Sequence, residues 1–317
     1  MSYLPAVSVI MPAYNAANTI AESIESVLNQ NYSNFKLYIV DHGSSDNTSI
    51  IIKKFDDNRI IYLFQPNLGF GSPGLPRNLA LKHIDSKYIA FLDSDDLWLP
   101  NKLKEQIEYF ESLDDNFALV YSNFRVFTSK PSDSSPINRK NLKFFNNVFY
   151  DLILSNFIGL PTVIIKANAL KEVGFFRTDL KGIEDWDLWL RISKIFKISY
   201  ISKEHALYRI SPNSMSGDKI KCLNLEKNYI RDYLTSSENI PSKVFTISLL
   251  LRESTLLKLN TIHSKYFHIL PNILGLFKYT ILGFPISFKF FYFLLKCLSS
   301  RVSFRYFTKK YFPRLNI

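Results

Sequence analysis

Three aspartates stand close together in the stretch FLDSDDLWLP, which covers residues 91–100. An apolar run, YIAFL, leads into Asp93, Asp95 and Asp96, and an aromatic run follows them. Carboxylates this close repel one another and are costly to remove from water together. A metal ion, neighbouring Lys or Arg side chains, or solvent must therefore compensate their charge.

Asp93 and Asp95 have the spacing that suits a metal ion. In an extended chain, residues two apart point to the same side, so both carboxylates can face one point beyond the strand end. Mg²⁺ typically takes one or two carboxylates together with substrate phosphates. The pattern therefore predicts a site for a metal–diphosphate complex. The alternative is a solvated acidic turn in which Asp96 caps the following helix.

The elements that must position these acids alternate between strand-like and helix-like segments over the first 130 or so residues. This alternation predicts an α/β fold with a mostly parallel sheet covered on both faces. Ligands of such sheets collect at the carboxyl ends of the strands, where Asp41 and Asp93 lie. The predicted strands are 7–11, 35–40, 59–64, 87–92 and 117–124. The predicted helices are one with apolar positions 20, 24, 27 and 28, and the stretches 48–55, 75–84 and 101–112.

The chain changes character after the polar stretch 129–141, which contains two prolines and indicates a loop or hinge. A helix near 145–156, a strand at PTVIIK and a helix at EDWDLWLRISKI follow, and helical patterns dominate from about residue 218. We therefore predict a first domain over 1–217, with halves 1–128 and 140–217. A mainly helical region is predicted over 218–317.

The stretch GFGSPG, residues 69–74, matches the G-x-G-x-x-G pattern of dinucleotide-binding folds. The pattern follows the third predicted strand rather than the first, and Pro73 and Pro76 crowd the expected tight turn. A single ribose-binding acid also would not explain three neighbouring carboxylates. These observations disfavour a dehydrogenase.

Five short motifs occur in order along the chain. They are PAYN (12–15), VDHGSSDNT (40–48), Asn67-Leu68-Gly69 followed by Arg77-Asn78, FLDSDDLW (91–98) and EDWDLWLR (184–191). Together they resemble family 2 glycosyltransferases, which are inverting, nucleotide-sugar-dependent enzymes with the GT-A fold. The resemblance covers roughly residues 5–217 and implies that 1–128 is the donor half and 140–217 the acceptor half.

The resemblance implies roles for residues of the donor half. Asp41 would accept a hydrogen bond from the base, namely uracil N3–H, and its structural alternative is to cap the segment that follows it. Asp93, on the ribose side, and Asp95 would form the binding pair for Mn²⁺ or Mg²⁺ held by the diphosphate. Arg77 would lie near the sugar phosphate, unless it is only a helix-surface arginine. The implied donor-binding residues are Pro12, Ala13, Tyr14, Asp41, Arg77, Asp93, Ser94 and Asp95.

Glu184 and Asp185 resemble the acceptor-side acids of the family, with Asp185 as general base. Inverting transfer needs a carboxylate opposite the leaving diphosphate, where it takes the proton of the acceptor hydroxyl. The same acids also enrich the first turn of a predicted helix, where the helix dipole favours anions. Trp186 is assigned to the acceptor side, where it would touch a sugar face, although its spacing to Trp189 indicates a core position.

Two positions depart from the family pattern. His42 stands where a second acid usually follows Asp41, and Ser211 stands where a histidine often helps to hold metal or phosphate. These departures leave open a non-catalytic, membrane-bound assembly partner with a vestigial nucleotide-sugar site. A sugar-nucleotide pyrophosphorylase is a further alternative, although VSVIMPAYNAAN lacks the glycine-rich loop that such enzymes have after the first strand.

The net charge of +11 is concentrated near the end of the sequence. Residues 241–317 hold 12 Lys and Arg and one acid, whereas residues 1–240 hold 27 of each sign. Residues 263–317 mix these cations with aromatic and aliphatic runs, which predicts a segment lying on an anionic membrane surface. No nucleic-acid motif appears, so nucleic acid is disfavoured as the partner. A helical tail packed on the first domain is the alternative.

These observations predict a bacterial-type, metal-dependent, inverting hexosyltransferase. It would move a sugar from a UDP-sugar to a lipid-linked or surface-polysaccharide acceptor, such as O-antigen, capsule or lipooligosaccharide. The basic tail predicts a peripheral location at the cytoplasmic face of the plasma membrane. Cys222 and Cys297 lie far apart, which fits a reducing compartment, and the N-terminal sequence lacks the pattern of a secretory signal.

Overall fold

The computed structural model describes residues 6–67, 71–136, 148–211 and 218–236, together with the single residues 240, 244, 248, 252 and 255. The chain divides into two compact units. The first contains Met1–Lys140 and Phe157–Ser211, and the second contains Asn141–Asn156 and Pro212–Ile317. The predicted membrane segment, residues 263–317, lies outside the described residues.

Four strands near the start of the chain form the parallel part of a nine-stranded sheet in the first unit. They are β1 (Val7–Ala13), β2 (Phe35–Asp41), β3 (Ile60–Phe64) and β4 (Tyr88–Phe91). β1 pairs in parallel with β2 and with β4, and β2 pairs in parallel with β3. Three of the four are buried at nearly every position, as expected for parallel strands. The carboxyl ends of these strands therefore meet at one edge of the sheet.

The remaining strands extend the sheet through antiparallel and parallel pairs. They are β5 (Leu97–Trp98), β6 (Phe117–Phe127), β7 (Ser135–Pro136), β8 (Ile164–Lys166) and β9 (Lys197–Arg209). β8 is antiparallel to both β4 and β6, so it joins the two parts of the sheet. β9 is parallel to β6 and antiparallel to β5, and β7 adds to β6. The order across the sheet is β3-β2-β1-β4-β8-β6-β9-β5.

Helices connect these strands. In the first unit they are α1 (Ile20–Leu28), α2 (Thr48–Ile52), α3 (Gly74–Leu81), α4 (Lys102–Glu111), α6 (Ala167–Val173) and α7 (Glu184–Ile195). The second unit contains α5 (Val148–Leu154) and α8 (Lys219–Ser236). None of the described helices is long and apolar enough to cross a membrane.

The strands and helices predicted from apolar spacing over the first 127 residues are confirmed. The buried face of α1, which contains Ile20, Ile24 and Val27, packs in one core cluster with Val9 and Leu37 of the sheet. Sequence spacing missed β9, because Lys203, Glu204 and His205 interrupt its apolar pattern. These thirteen residues form a strand because β6 on one side and β5 on the other supply backbone partners.

Side chains from β5 and α4 hold the segment that leads into β8. Trp98 Nε1, Gln106 Nε2 and Lys102 Nζ donate to the carbonyls of residues 161, 162 and 163, at 2.7, 2.8 and 3.3 Å respectively. Lys102 is fully buried, and its Nζ lies 4.3 Å from the centroid of the Trp98 ring. Burial lowers the pKa of Lys102 well below its ordinary value, because no carboxylate of the described residues pairs with it.

Replacing Lys102 with Met should change the pH dependence of stability. Between the lowered folded pKa and about 10.4, the unfolded chain binds a proton that the folded chain does not, so wild-type stability rises with pH there. The wild type should therefore gain stability relative to K102M from pH 7 to pH 9, by up to about 1.4 kcal/mol per pH unit. Urea denaturation followed by tryptophan fluorescence measures this difference.

The matched control is K104M, which removes an exposed lysine from the same helix. The difference in unfolding free energy between K104M and wild type should be the same at pH 7 and at pH 9. A constant difference for K102M as well would contradict a buried, uncompensated lysine.

Candidate active site

The loops that follow β1 and β2 are joined by hydrogen bonds between the two motifs PAYN and VDHGSSDNT. The Asn15 amide donates to Ser44 Oγ at 3.0 Å, and the Ser45 amide donates to Asn15 Oδ1 at 2.8 Å. The Ala16 amide donates to Thr48 Oγ1 at 2.8 Å. Asn15 adopts a left-handed backbone conformation, with a φ of 48°. The two motifs therefore build one surface at the carboxyl edge of the sheet.

Asp41 lies at this surface but is almost fully buried. Its Oδ1 accepts the Ser44 amide at 2.9 Å, and its Oδ2 accepts the Tyr62 hydroxyl at 3.2 Å. The expected structural role is therefore present, since Asp41 caps the turn that follows β2. The β1–β2 register pairs Asp41 with Ala13, and the next residue along, Tyr14, is 55% exposed. Pro12, Ala13, Tyr14 and Asp41 are thus brought together, as the motif order suggested.

His42 is the residue at which the sequence departs from the family pattern. Its side chain is buried, and within the described part of the chain neither ring nitrogen has a hydrogen-bond partner. Its amide donates to the Ala13 carbonyl at 2.8 Å, which extends the β1–β2 pairing by one residue. This backbone hydrogen bond does not depend on the side chain at position 42, so the departure from the family pattern concerns the buried imidazole alone.

Arg209, at the end of β9, is hydrogen-bonded to the acidic turn after β4, residues 93–96. The Arg209 amide donates to Asp96 Oδ1 at 2.8 Å, and its Nε donates to the Asp95 carbonyl at 2.8 Å. Asp96 is buried and α4 begins at Lys102, so the expectation that Asp96 caps that helix is wrong. Asp96 instead binds the backbone of β9.

The first turn of α1 holds the same acidic turn from the other side. The Thr19 hydroxyl donates to the Ser94 carbonyl at 2.8 Å, and Glu22 pairs with Arg209 at 2.8 Å. Although Thr19 and Glu22 have the spacing of a capping box, the Thr19 side chain makes no capping bond to α1. No sequence motif marks Thr19, Glu22 and Arg209 as site residues, because their partners lie 75 to 187 positions away along the chain.

The carboxylates of the acidic turn differ in their environments. Burial and the neighbouring Asp93 raise the pKa of Asp95 to about 6. Burial and the charges of Asp95 and Asp93 raise the pKa of Asp96 well above its ordinary value. No cation of the described residues pairs with the Asp95 carboxylate, which is partly exposed. Neither Asp95 nor Asp96 has an ion-pair partner among the described residues, and Asp95 is the one of the two that an external cation can reach, because Asp96 is buried.

Arg77 of α3 lies between the donor half and the acceptor half of the predicted site. Its guanidinium donates to Asp93 Oδ1 at 2.6 Å through one terminal nitrogen and to Glu184 Oε1 at 2.8 Å through the other. Arg77 is 2% exposed, so the alternative of a helix-surface arginine is wrong. Burial lowers its pKa, but Asp93 and Glu184 raise it by more, so the guanidinium stays charged.

The three acids in the first turn of α7 have different partners. Glu184 is buried against Arg77, and its Oε2 also accepts the Gly182 amide at 2.7 Å. Asp187 is buried and pairs with Arg191 at 2.8 Å. Asp185 is partly exposed, and its Oδ1 accepts the Trp186 amide. Of these acids, Asp185 has the carboxylate that can meet an incoming molecule.

Trp186 has no exposed surface. A side chain without exposed surface cannot stack on a sugar, so the assignment of Trp186 to the acceptor side is wrong and its core reading is correct. Trp189, three residues along α7, is also fully buried.

Asp93 and Asp95 fit a divalent cation only if the substrate completes its coordination. Asp93 keeps 32% of its side chain exposed beyond the oxygen that Arg77 holds, and Asp95 has no counter-ion among the described residues. No group of three or more His, Cys, Asp or Glu in that part of the chain could hold a metal by itself. Mg²⁺ or Mn²⁺ bound by one or two carboxylates plus phosphate oxygens agrees with this donor set.

Comparisons with known proteins identify the family of this chain. Residues 8–174 match the family described as Glycosyl transferase family 2. Over 235 residues the chain is 37% identical to the Escherichia coli protein UDP-Glc:alpha-D-GlcNAc-diphosphoundecaprenol beta-1,3-glucosyltransferase WfgD, covering 72% of this chain and 86% of WfgD.

Two solved structures share the fold at low sequence identity. S. aureus TarS 1-349 in complex with UDP-GlcNAc is 22% identical with a TM-score of 0.60, covering 78% of this chain and 72% of the TarS chain. The mannosyltransferase PcManGT from Pyrobaculum calidifontis, in complex with GDP-Man and Mn2+, is 17% identical with a TM-score of 0.57. That comparison covers 82% of this chain and 76% of PcManGT.

Replacing Gly43 with Ala should damage the surface formed by the two joined loops. Gly43 has a φ of +69°, and a Cβ there would lie 2.7 Å from the Asn67 backbone nitrogen. Backbone strain and overpacking together should cost at least about 2 kcal/mol of unfolding free energy. Chemical denaturation of G43A measures the loss.

The control is G71A, where the added Cβ would meet only the flexible end of Lys181, at 2.9 Å. The lysine can move aside, so G71A should stay within about 0.5 kcal/mol of wild type. Equal losses in the two variants would show that the backbone approach at Gly43 is not the cause.

Proposed function

Because the chain belongs to glycosyl transferase family 2 and is a glycosyltransferase with the GT-A fold, we propose that it transfers a sugar from a UDP-sugar to a lipid-linked saccharide. The name of the E. coli relative specifies UDP-glucose as donor and a GlcNAc-diphospho-undecaprenol as acceptor. Its identity and coverage support the same substrate classes for this chain. Family membership favours sugar transfer over the alternative of a sugar-nucleotide pyrophosphorylase.

The observation that carries the proposed mechanism is the accessibility of Asp185. Its neighbours Glu184 and Asp187 are buried and ion-paired, whereas Asp185 is partly exposed at the amino end of α7. The acceptor hydroxyl would give its proton to the Asp185 carboxylate as its oxygen attacks the anomeric carbon. The bond from that carbon to the nucleotide diphosphate breaks at the same time, so the configuration is inverted.

The donor side of the proposed site is the surface around Tyr14, Asp41, Asp93 and Asp95. Exposed Tyr14 offers an aromatic face to the base. Asp41 is 1% exposed and its oxygens accept the Ser44 amide and the Tyr62 hydroxyl, so it supports the loop beside the base rather than meeting the N–H group of the base. Asp93 and Asp95 would hold Mn²⁺ or Mg²⁺. When bound, this cation supplies positive charge that offsets the negative charge on the departing diphosphate.

The proposed base and metal site can be tested separately. D185N should lower kcat by about 10²–10⁴-fold without changing UDP affinity, because it removes proton transfer alone. D95A should lower UDP affinity in Mn²⁺ and abolish the difference between Mn²⁺ and EDTA. Sugar transfer from UDP-glucose and other UDP-sugars to a synthetic GlcNAc-diphospho-lipid, and calorimetric titration with UDP, provide the two readouts.

The control is E172Q, which removes an exposed acid from α6 and should behave as wild type. Full turnover by D185N would remove Asp185 as base. A wild type that bound no UDP with or without metal would indicate the vestigial site considered as the alternative.

We also propose that the chain works at the cytoplasmic face of the plasma membrane, held there by its basic, aromatic tail. A lipid-linked acceptor places the reaction at a membrane, and the excess of cations in residues 241–317 supports binding to an anionic leaflet. The full-length protein should float with vesicles that contain anionic lipid, and 0.5 M NaCl should weaken this binding because salt screens surface charge.

K309Q/K310Q should lower the partition coefficient for these vesicles by about 30-fold, since each lysine near the surface contributes about 1 kcal/mol. The control K53Q/K54Q removes the same charge from an exposed position of the first unit and should float normally. Equal flotation with neutral and anionic vesicles would argue against the electrostatic part of this proposal.

A further inference from the structure

We infer that Arg77 and Glu184 are positioning residues that couple the nucleotide side of the site to the turn that carries the catalytic base. This inference rests on the proposed function, because it assigns a role within the same reaction. It differs from the expectation drawn from the motifs, in which Arg77 met the donor phosphate and Glu184 met the acceptor.

Glu184 is too deeply buried to meet a substrate, and each of its oxygens accepts a hydrogen bond from within the protein. Arg77 holds Oε1 at 2.8 Å, the Gly182 amide holds Oε2 at 2.7 Å, and the side chain is 5% exposed. Charged groups buried this deeply are stable only when paired and hydrogen-bonded. Glu184 therefore compensates Arg77 and fixes the start of α7, and Asp185 follows it directly in the chain.

α3 and the turn before it contact the segment 176–184, which leads into α7. The Asn78 side chain donates to the Phe176 carbonyl at 2.8 Å and accepts the Phe176 amide at 3.0 Å. The Ser72 hydroxyl donates to the Leu180 carbonyl at 2.6 Å. With the Arg77–Glu184 pair, these contacts tie three points of the segment 176–184 to α3 and to Ser72, which lies two residues before it.

Arg77 also links the charge of Glu184 to that of Asp93 on the donor side. Arg77 shares its charge between Asp93, at 2.6 Å, and Glu184, at 2.8 Å. If Glu184 loses its charge, Asp93 is the one counter-ion of the buried Arg77 that remains among the described residues, and Arg77 holds it more tightly. Asp93 then contributes less negative charge to the cation–nucleotide complex beside Asp95. A substitution at a residue that touches no substrate should thus weaken nucleotide binding.

A double-mutant cycle on Arg77 and Glu184 tests this coupling. E184Q should weaken binding of UDP with Mn²⁺ by about tenfold, measured by titration calorimetry without acceptor. R77K should also weaken it, because a lysine ammonium cannot join two carboxylates as the guanidinium fork does. In the R77K background, E184Q should have a much smaller effect, since the two substitutions interrupt one connection.

The control E172Q removes an exposed acid from α6 and should bind UDP as wild type. Thermal denaturation identifies any variant that fails to fold, and if E184Q fails, R77K alone still carries the test through its UDP affinity. Unchanged UDP affinity in folded E184Q or folded R77K would overturn the inference, as would additive effects in the cycle. Absence of UDP binding by the wild type would instead overturn the proposed function.

Discussion

Compensation of negative charge at one edge of the sheet is the constraint on which the site depends. Asp93, Asp95 and Asp96 lie in the turn that follows β4, and two arginines from distant parts of the chain contact this turn. The Arg77 guanidinium pairs with Asp93. The Arg209 backbone amide donates to the Asp96 carboxylate, and the Arg209 Nε donates to the Asp95 carbonyl. Because none of these contacts pairs the Asp95 carboxylate with a cation of the described residues, Asp95 is the partly exposed acid of this turn at which we propose that an external cation binds.

The short motifs of the sequence contact one another or neighbouring segments in the folded structure. Residues 15 and 16 are hydrogen-bonded to residues 44, 45 and 48, so the loops after β1 and β2 stabilise each other's conformation. Arg77 and Asn78 bind the segment that leads into α7. Thr19, Glu22 and Arg209 enclose the acidic turn. The order of the motifs along the chain reflects the order in which the sheet brings these partners to its carboxyl edge.

Acidic residues that look equivalent in the sequence have different functions in the structure. In the first turn of α7, Glu184 and Asp187 are buried ion-pair partners, and Asp185 is the acid that is partly exposed. In the turn after β4, Asp96 supports β9, whereas Asp95 is partly exposed and has no ion-pair partner in the described part of the chain. Catalysis by positioned charge requires both kinds of acid, because an exposed carboxylate keeps its geometry only when buried neighbours hold the backbone beneath it.

The sequence by itself determined the parallel half of the sheet, its helices and the family, because apolar periodicity and short motifs are local. It also placed Asp93, Asp95 and Asp185 correctly as acids at strand and helix ends. Tertiary structure alone decided that Arg77 is buried between two carboxylates and that Arg209 supports the acidic turn, and it chose the core position among the two roles that the sequence offered for Trp186. It likewise decided that the polar stretch 197–209 is a strand. These features depend on burial and on partners as many as 187 positions away, which no local pattern contains.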